Sequence, residues 1–322
     1  MKKIVMSIVA VLVVAMAAVT WFFGPMIGSM LLGKPIFVVA TPKRYANFAF
    51  DFAANQGIYA DTPEFQQALA AAEEELKSVD SIEQTHPIIK KVLKAAGGKH
   101  SNLIPPEKNQ PETAEEAELP TVSREGEIVV ATVPSVGRGP VGQQYADSLA
   151  GGLQRYSQDA CGVIVDLRGN GGGDMGPMLA GLSSLLPDGP VMSFKSRMYT
   201  TDVVIEGGSV KGGGSPITVA STSKFTGPVA VLVDKETGSS GEATMLSFRG
   251  LENSKSFGQP TAGYASANTV IDMPDGAGLM LTTANDVART GEEFSEDPIK
   301  PDVVTDDAQA QATEWINQKC VR

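Results

Sequence analysis

The sequence predicts a mixed α/β (α+β) protein on a mainly parallel sheet, with a small N-terminal helical domain and an N-terminal transmembrane helix. Three observations predict it. Segments that read as buried strands, Cys161–Leu167 and Val229–Val233, are each followed by a helix-length segment. That βα alternation yields parallel strands with ligands at their carboxyl ends. From Lys43 to about Lys99 the apolar spacing is helical instead. Ahead of both, Ile4 to Phe23 is apolar and carries no charge, which is long enough to cross a bilayer.

Taken in order, Lys2 and Lys3 form the positive flank that stays cytoplasmic, and the next charge is Lys34. Ala15-Met16-Ala17 reads as a signal-peptidase site, the competing assignment. Apolar residues continue past it through Trp21, Phe22, Phe23 and Ile27, as an uncleaved anchor requires. The body of the protein then lies outside the cell membrane. Residues 1–33 are therefore expected as the anchor and 41–103 as the helical domain. Within the latter, Tyr45, Phe48 and Phe52 share a helix face, and Thr62-Pro63-Glu64 starts a second helix. A third is expected from Thr85-His86-Pro87, with Ile88, Ile89, Val92, Leu93 and Ala96 as its apolar stripe and Gly97-Gly98 as its end.

Residues 104–120, rich in Pro and Glu, read as a linker or lid, and 121–322 as the core domain. There a strand at Glu127–Val133, a helix from Gly142 to Tyr156, a strand from Cys161 and a helix at Met178–Leu186 follow one another. Strands over Val191–Val204 and a flexible hairpin or loop at Gly207–Gly214 precede the Val229 strand. Asp275-Gly276 signals a hairpin and Ala308–Gln318 a closing helix.

Composition narrows the function. With 37 acidic and 26 basic residues the net charge is -11, which argues against nucleic acid and favours a cationic partner. Two cysteines, Cys161 and Cys320, are too few for a disulfide framework or a structural zinc site; whether they pair stays open. No metal or cofactor is expected.

The chemistry is expected at two strand ends. After Val229–Val233 comes Thr237-Gly238-Ser239-Ser240-Gly241-Glu242, a serine at a strand-to-helix turn, where opening amides can hold an oxyanion. Ser239-x-x-Glu242 also fits a capping box, and by itself that commoner reading suffices. After Cys161–Leu167 comes Asp166-Leu167-Arg168-Gly169-Asn170-Gly171-Gly172-Gly173-Asp174, whose glycines let backbone approach a ligand. A nucleophilic serine needs a base, and the chain has two histidines. His86 sits at the expected helix start as an exposed capping residue; His100 follows a helix end, free to face a cleft.

These motifs together resemble the carboxy-terminal processing (tail-specific) serine peptidases. Asp275-Gly276-Ala277-Gly278-Leu279 and Ile299-Lys300-Pro301-Asp302 extend the match. Gly97-Gly98-Lys99-His100-Ser101, Leu185–Gly189 and Ala262–Asn268 are similar to the membrane-anchored, lantibiotic-cleaving branch of that family. The resemblance implies a Ser239 nucleophile with His100 as base, because Tyr264 occupies the place where the broader family carries a lysine. It implies Gly172 and Ser240 amides as the oxyanion hole. Asn170, Gly171 and Glu242 are expected on the substrate side, with capping as the alternative role of Glu242. The implied substrate is a cationic peptide. A general processing peptidase, a non-catalytic peptide-binding module of the same fold and a crotonase-like acyl-thioester enzyme remain open.

Overall fold

The computed structural model describes residues 2–111, 113, 115, 117–220 and 223–320. In chain order the elements begin with α1 (Lys2–Leu32), α2 (Pro42–Gln56), α3 (Pro63–Glu75), α4 (Ile82–Gly97) and β1 (Asn102–Ile104). Next come β2 (Thr121–Glu125), β3 (Ile128–Thr132), α5 (Gly142–Tyr156), β4 (Gly162–Asp166) and α6 (Met175–Gly181). They are followed by β5 (Gly189–Ser196), β6 (Thr200–Glu206), β7 (Ser209–Lys211), β8 (Val229–Val233), α7 (Ser240–Phe248) and β9 (Ser254–Gly258). The chain closes with β10 (Ser266–Asp272), β11 (Gly278–Ala288), β12 (Glu293–Phe294), β13 (Val303–Val304) and α8 (Ala308–Cys320). It divides into two compact units, one of residues 1–110 with 268–283, the other of 111–267 with 284–322.

In the first unit, α2, α3 and α4 bury Tyr45, Phe50, Phe65, Ile89 and Leu93 against Ile271, Leu279 and Leu281. The helices owe their starts to capping hydroxyls: Thr41 accepts from Arg44 N and Thr62 from Phe65 N. The start of α4 corrects the expectation. Ser81 caps it, one turn before Thr85, and Pro87 lies inside the helix. His86 is accordingly no capping residue. Its Nε2 lies 2.8 Å from Asp275 Oδ2, and Tyr45 donates to Asp275 Oδ1 at 2.9 Å. Burial and the Asp275 carboxyl together push the Tyr45 hydroxyl far above the ordinary tyrosine range.

The apolar stretch Val9–Leu32 has a mean hydropathy of 2.1 and is 6% buried. The side chains of Lys2 and Lys3 lie outside the described residues. Near its end the helix has a flat face. A Cβ on Gly24 would stand 2.6 Å from the Ile36 carbonyl, and one on Gly28 2.6 Å from the Lys34 carbonyl. The returning chain fills that groove, and the Arg44 guanidinium stacks 3.8 Å over Trp21. In the expected linker, Pro106–Lys108 forms a 3₁₀ turn, and Asn109 Nδ2 donates to Asp272 Oδ1 at 2.9 Å. Residues 112, 114 and 116 lie outside the described residues.

The second unit carries the predicted parallel sheet, in the order β13-β9-β8-β4-β3-β2, antiparallel at β2–β3 alone. The central strands β4 and β8 read as apolar runs because both their faces are covered. On one face Val163, Val165, Val229, Val231 and Val233 pack with Leu149, Met178, Leu179 and Leu246 from α5, α6 and α7. On the other, Ile164, Ala230 and Leu232 meet Ala308, Ala312 and Ile316 of α8. Cys320 of α8 is disulfide-bonded to Cys161 at the foot of β4, with Cα atoms 5.8 Å apart. A meander of β5, β6 and β7 continues from the last residues of β11, where Ala284 pairs with Ser196.

Candidate active site

Two carboxyl-end turns of the parallel sheet are stitched together. Asp234 Oδ1 accepts from Gly169 N at 3.1 Å and from Glu236 N and Thr237 N of its own turn. Thr237 Oγ1 donates to the Leu167 carbonyl at 2.8 Å, and Gly238 N to the Asn170 carbonyl at 2.9 Å. The loops leaving β4 and β8 therefore form one surface.

Ser239 stands on it with φ 52° and ψ −117°, the one non-glycine residue at positive φ among the described residues. Such a backbone is costly for an L-residue and persists where its surroundings over-determine it. Here the surroundings are visible. The Ser239 amide donates to Glu242 Oε2 at 2.8 Å, the backbone half of a capping box. Ser239 itself is half-buried. Against it packs Gly172, at φ +108°, where a Cβ would stand 2.7 Å from Ser239 Cβ and 3.0 Å from Ser240 N. The capping and exposed-serine readings, alternatives in the sequence, describe the same residue.

The companion residues divide. The Ser240 amide opens α7 and has no intrahelical acceptor, so it can meet an oxyanion. Its hydroxyl donates to the Gly173 carbonyl at 2.8 Å. Gly172 N, expected beside it, donates instead to Asn170 Oδ1 at 2.9 Å, so its N–H reaches an oxyanion only by exchanging that partner. Asn170 is fully buried and its Nδ2 donates to the Val133 carbonyl at 2.8 Å. It shapes the turn from below and offers no side chain to a substrate, contrary to expectation. Gly171 is exposed.

Glu242 is the second correction. It is fully buried, and beyond Ser239 N its oxygens accept from Gly263 N at 2.9 Å, Tyr264 N at 2.7 Å and the Thr261 hydroxyl. A carboxyl group engaged this way has nothing left for a cationic peptide. Of its two expected roles it performs the capping one, and it also ties down the turn carrying Tyr264. Close by, Asp286 is buried, and that burial, reinforced by Glu242, pushes its carboxyl well above the usual range.

His100 belongs to the other unit. It follows the Gly98 cap of α4 (φ 75°) and precedes Ser101, which is fully buried and accepts from Thr282 N at 2.9 Å. Its ring faces Asn268, whose Nδ2 lies 3.1 Å from Nδ1 and 3.0 Å from Nε2. Burial, then the neighbouring Lys99 charge, pushes the imidazole down to about 4. Asn268 and Thr282 carried no role in the sequence reading. The cleft of about 720 Å³ lined by Gln154, Ser157, Ser184, Lys224 and Phe225 contains none of these residues. Among the described residues no group of three or more His, Cys, Asp or Glu side chains is arranged to hold a metal ion.

Comparison with known proteins agrees with this fold. The model of peptidase family S41 matches residues 128–305. The nisin-resistance protein of Lactococcus lactis subsp. lactis is 35% identical over 285 residues, covering 88% of this chain and 89% of that one. A solved lipoprotein from Streptococcus agalactiae superposes with a TM-score of 0.78 at 28% identity, over 88% of this chain and 99% of that one. The photosystem II D1 C-terminal processing protease shares the fold, with a TM-score of 0.57 at 14% identity over 83% and 94% of the two chains.

Proposed function

We propose that this chain, which belongs to peptidase family S41, is a membrane-anchored serine endopeptidase acting outside the cytoplasm with Ser239 as nucleophile and His100 as base. The observation that carries the reading is the Ser239 backbone, held at φ 52° where β8 turns into α7. Ser239 Oγ attacks the scissile carbonyl while His100 takes its proton. The Ser240 amide, at the positive end of the helix dipole, receives the oxyanion. His100 then protonates the leaving amine, and water releases the acyl group by the reverse sequence. The low basicity of His100 keeps it neutral, and so competent as a base, across the physiological range.

The proposed substrate is a lantibiotic-like cationic peptide, cut near its C-terminal end. Two facts support it: the similarity to a protein named for nisin resistance, and a net charge of -11. The anchor is supported by the 24-residue apolar span, and the extracytoplasmic site by the Cys161–Cys320 disulfide, a bond that persists in oxidising compartments. The expected division into anchor (1–33), helical domain with the base (41–103), linker or lid (104–120) and catalytic core (121–322) belongs to the same proposal.

Two measurements test the reading. A fluorophosphonate probe should add one adduct at Ser239, read by intact mass, and none to Ser239→Ala. An unlabelled wild type would leave a peptide-binding module. Mass spectrometry of digests should show a cleaved lantibiotic and intact casein. The reverse pattern would replace the resistance reading with a general processing peptidase.

A further inference from the structure

An imidazole base must be held in one orientation and must leave a lone pair free for the nucleophile's proton. In many such sites a third side chain accepts the ring's other N–H. The sequence offered no candidate for this chain. In the structure Asn268, on β10, packs against the ring, remote in sequence from His100 and within the same unit. We propose that Asn268, itself seated by Thr282, is the positioning residue of His100. The proposal rests on His100 being the base.

Three features carry it. Asn268 Nδ2 lies 3.1 Å from Nδ1 and 3.0 Å from Nε2, so the amide packs directly against the ring and limits how the imidazole can turn. The other amide atom, Oδ1, accepts from Thr282 Oγ1 at 2.8 Å. Thr282 is in turn fixed through its own amide, which donates 2.9 Å to the buried Ser101 beside the histidine. The arrangement is thus a closed chain, His100–Asn268–Thr282–Ser101, returning to the residue next to the base.

A hydroxyl donates or accepts, so Thr282 suits either face of the amide. With Nδ2 toward the ring, Asn268 presents an N–H donor to a neutral imidazole. Turned about its Cβ–Cγ bond, it presents Oδ1, an acceptor, to the ring. Once His100 has taken the serine proton, both ring nitrogens are donors and the acceptor face alone fits. The amide follows the ring's protonation while adding no charge. Lys99 is the charged neighbour acting on the ring, and Ser101, Asn268 and Thr282 are uncharged, consistent with an imidazole that stays weakly basic.

The test uses the intact chain and its two histidines, which give two resolvable imidazole Cε1–H signals. Asn268→Asp keeps the shape and adds a negative charge, so the His100 titration should move about one to three pH units upward. The acid limb of kcat/KM should move with it. Asn268→Ala should lower kcat about 10- to 100-fold with KM nearly unchanged, part of what general base catalysis supplies. Asn268→Asp should recover much of that loss above its new midpoint, which a merely structural role would not predict. An unmoved His100 titration in Asn268→Asp, or full kcat in Asn268→Ala, overturns the proposal. A moved titration with an unmoved acid limb keeps the contact but removes His100 from the reaction, which overturns the base assignment on which the proposal rests.

Discussion

Ser239 is held mainly by backbone, its own and that of Gly172, at the end of two buried strands, with Glu242 fastening its amide. His100 is held by side chains, an amide and two hydroxyls drawn from β10, β11 and its own loop. The site of the proposed nucleophile is therefore held by a strained backbone, and that of the proposed base by side chains that can adjust. A backbone site is broken by adding atoms; a side-chain site is broken by removing them.

The largest effect should come from the serine turn itself. Ser239→Ala should abolish peptide cleavage, a loss of about four to six powers of ten as for other covalent nucleophiles. Ser240→Ala keeps the amide and should retain substantial activity. Reversed results in a turnover assay would shift the register by one residue. His100→Ala should be nearly as damaging as Ser239→Ala. By contrast His86→Ala, which loses the Asp275 contact and the packing on the Tyr45 ring, should cost about 1 kcal/mol in a denaturant melt and little activity.

Glycine substitutions sharpen the contrast within one loop. A Cβ on Gly172 collides with Ser239 at 2.7 Å in a backbone strained for alanine, whereas one on Gly171 meets nothing nearer than Ser135 Oγ at 3.9 Å. Gly172→Ala should reduce kcat by about 100-fold or more through a displaced nucleophile, and Gly171→Ala by little. Equal effects would mean the close packing is not what sets the serine's position.

The smallest effect is one of pH. His100 must be neutral to act, so activity rises with pH through its folded value, about 4, where an ordinary histidine would give 6.5. The unfolded chain takes up its proton near 6.5 and the folded one near 4. Stability is thus full above the unfolded value and declines as pH falls through that window. Melting midpoints of wild type and His100→Gln should converge with acidification. A wild-type acid limb at 6.5 would show the ring to be more hydrated than its burial implies.

The same contrast explains what was legible in the sequence. The parallel sheet could be read because Val229–Val233 and Val163–Val165 are buried on both faces and hence uniformly apolar. The serine turn could be read because strand, glycine, serine and cap lie within a few consecutive positions. The start of α4 was misplaced by one turn, since a Pro inside a helix looks like a Pro that begins one. Gly172 N, Asn170 and Glu242 were assigned outward roles because a turn's sequence shows which groups exist and not which have already found partners. Asn268 could be quoted in a motif yet given no task, because its partner is 168 residues away. Pairings of that span are made by tertiary packing and leave no periodic trace.

Glu242 has a consequence for which sequences this fold can accept. Its two oxygens receive three backbone N–H groups and one hydroxyl from residues 239, 261, 263 and 264. Aspartate is one methylene too short to span them. Glutamine has the length but would turn an N–H toward an N–H, whichever way its amide faced. Every other residue leaves buried donors empty, at about 1–3 kcal/mol each. In a library sampling all twenty amino acids, position 242 should tolerate one of them, while the neighbouring exposed positions 235 and 236 accept most. The same carboxyl group secures both the start of α7 and the turn at 264, so the two could drift in sequence only together.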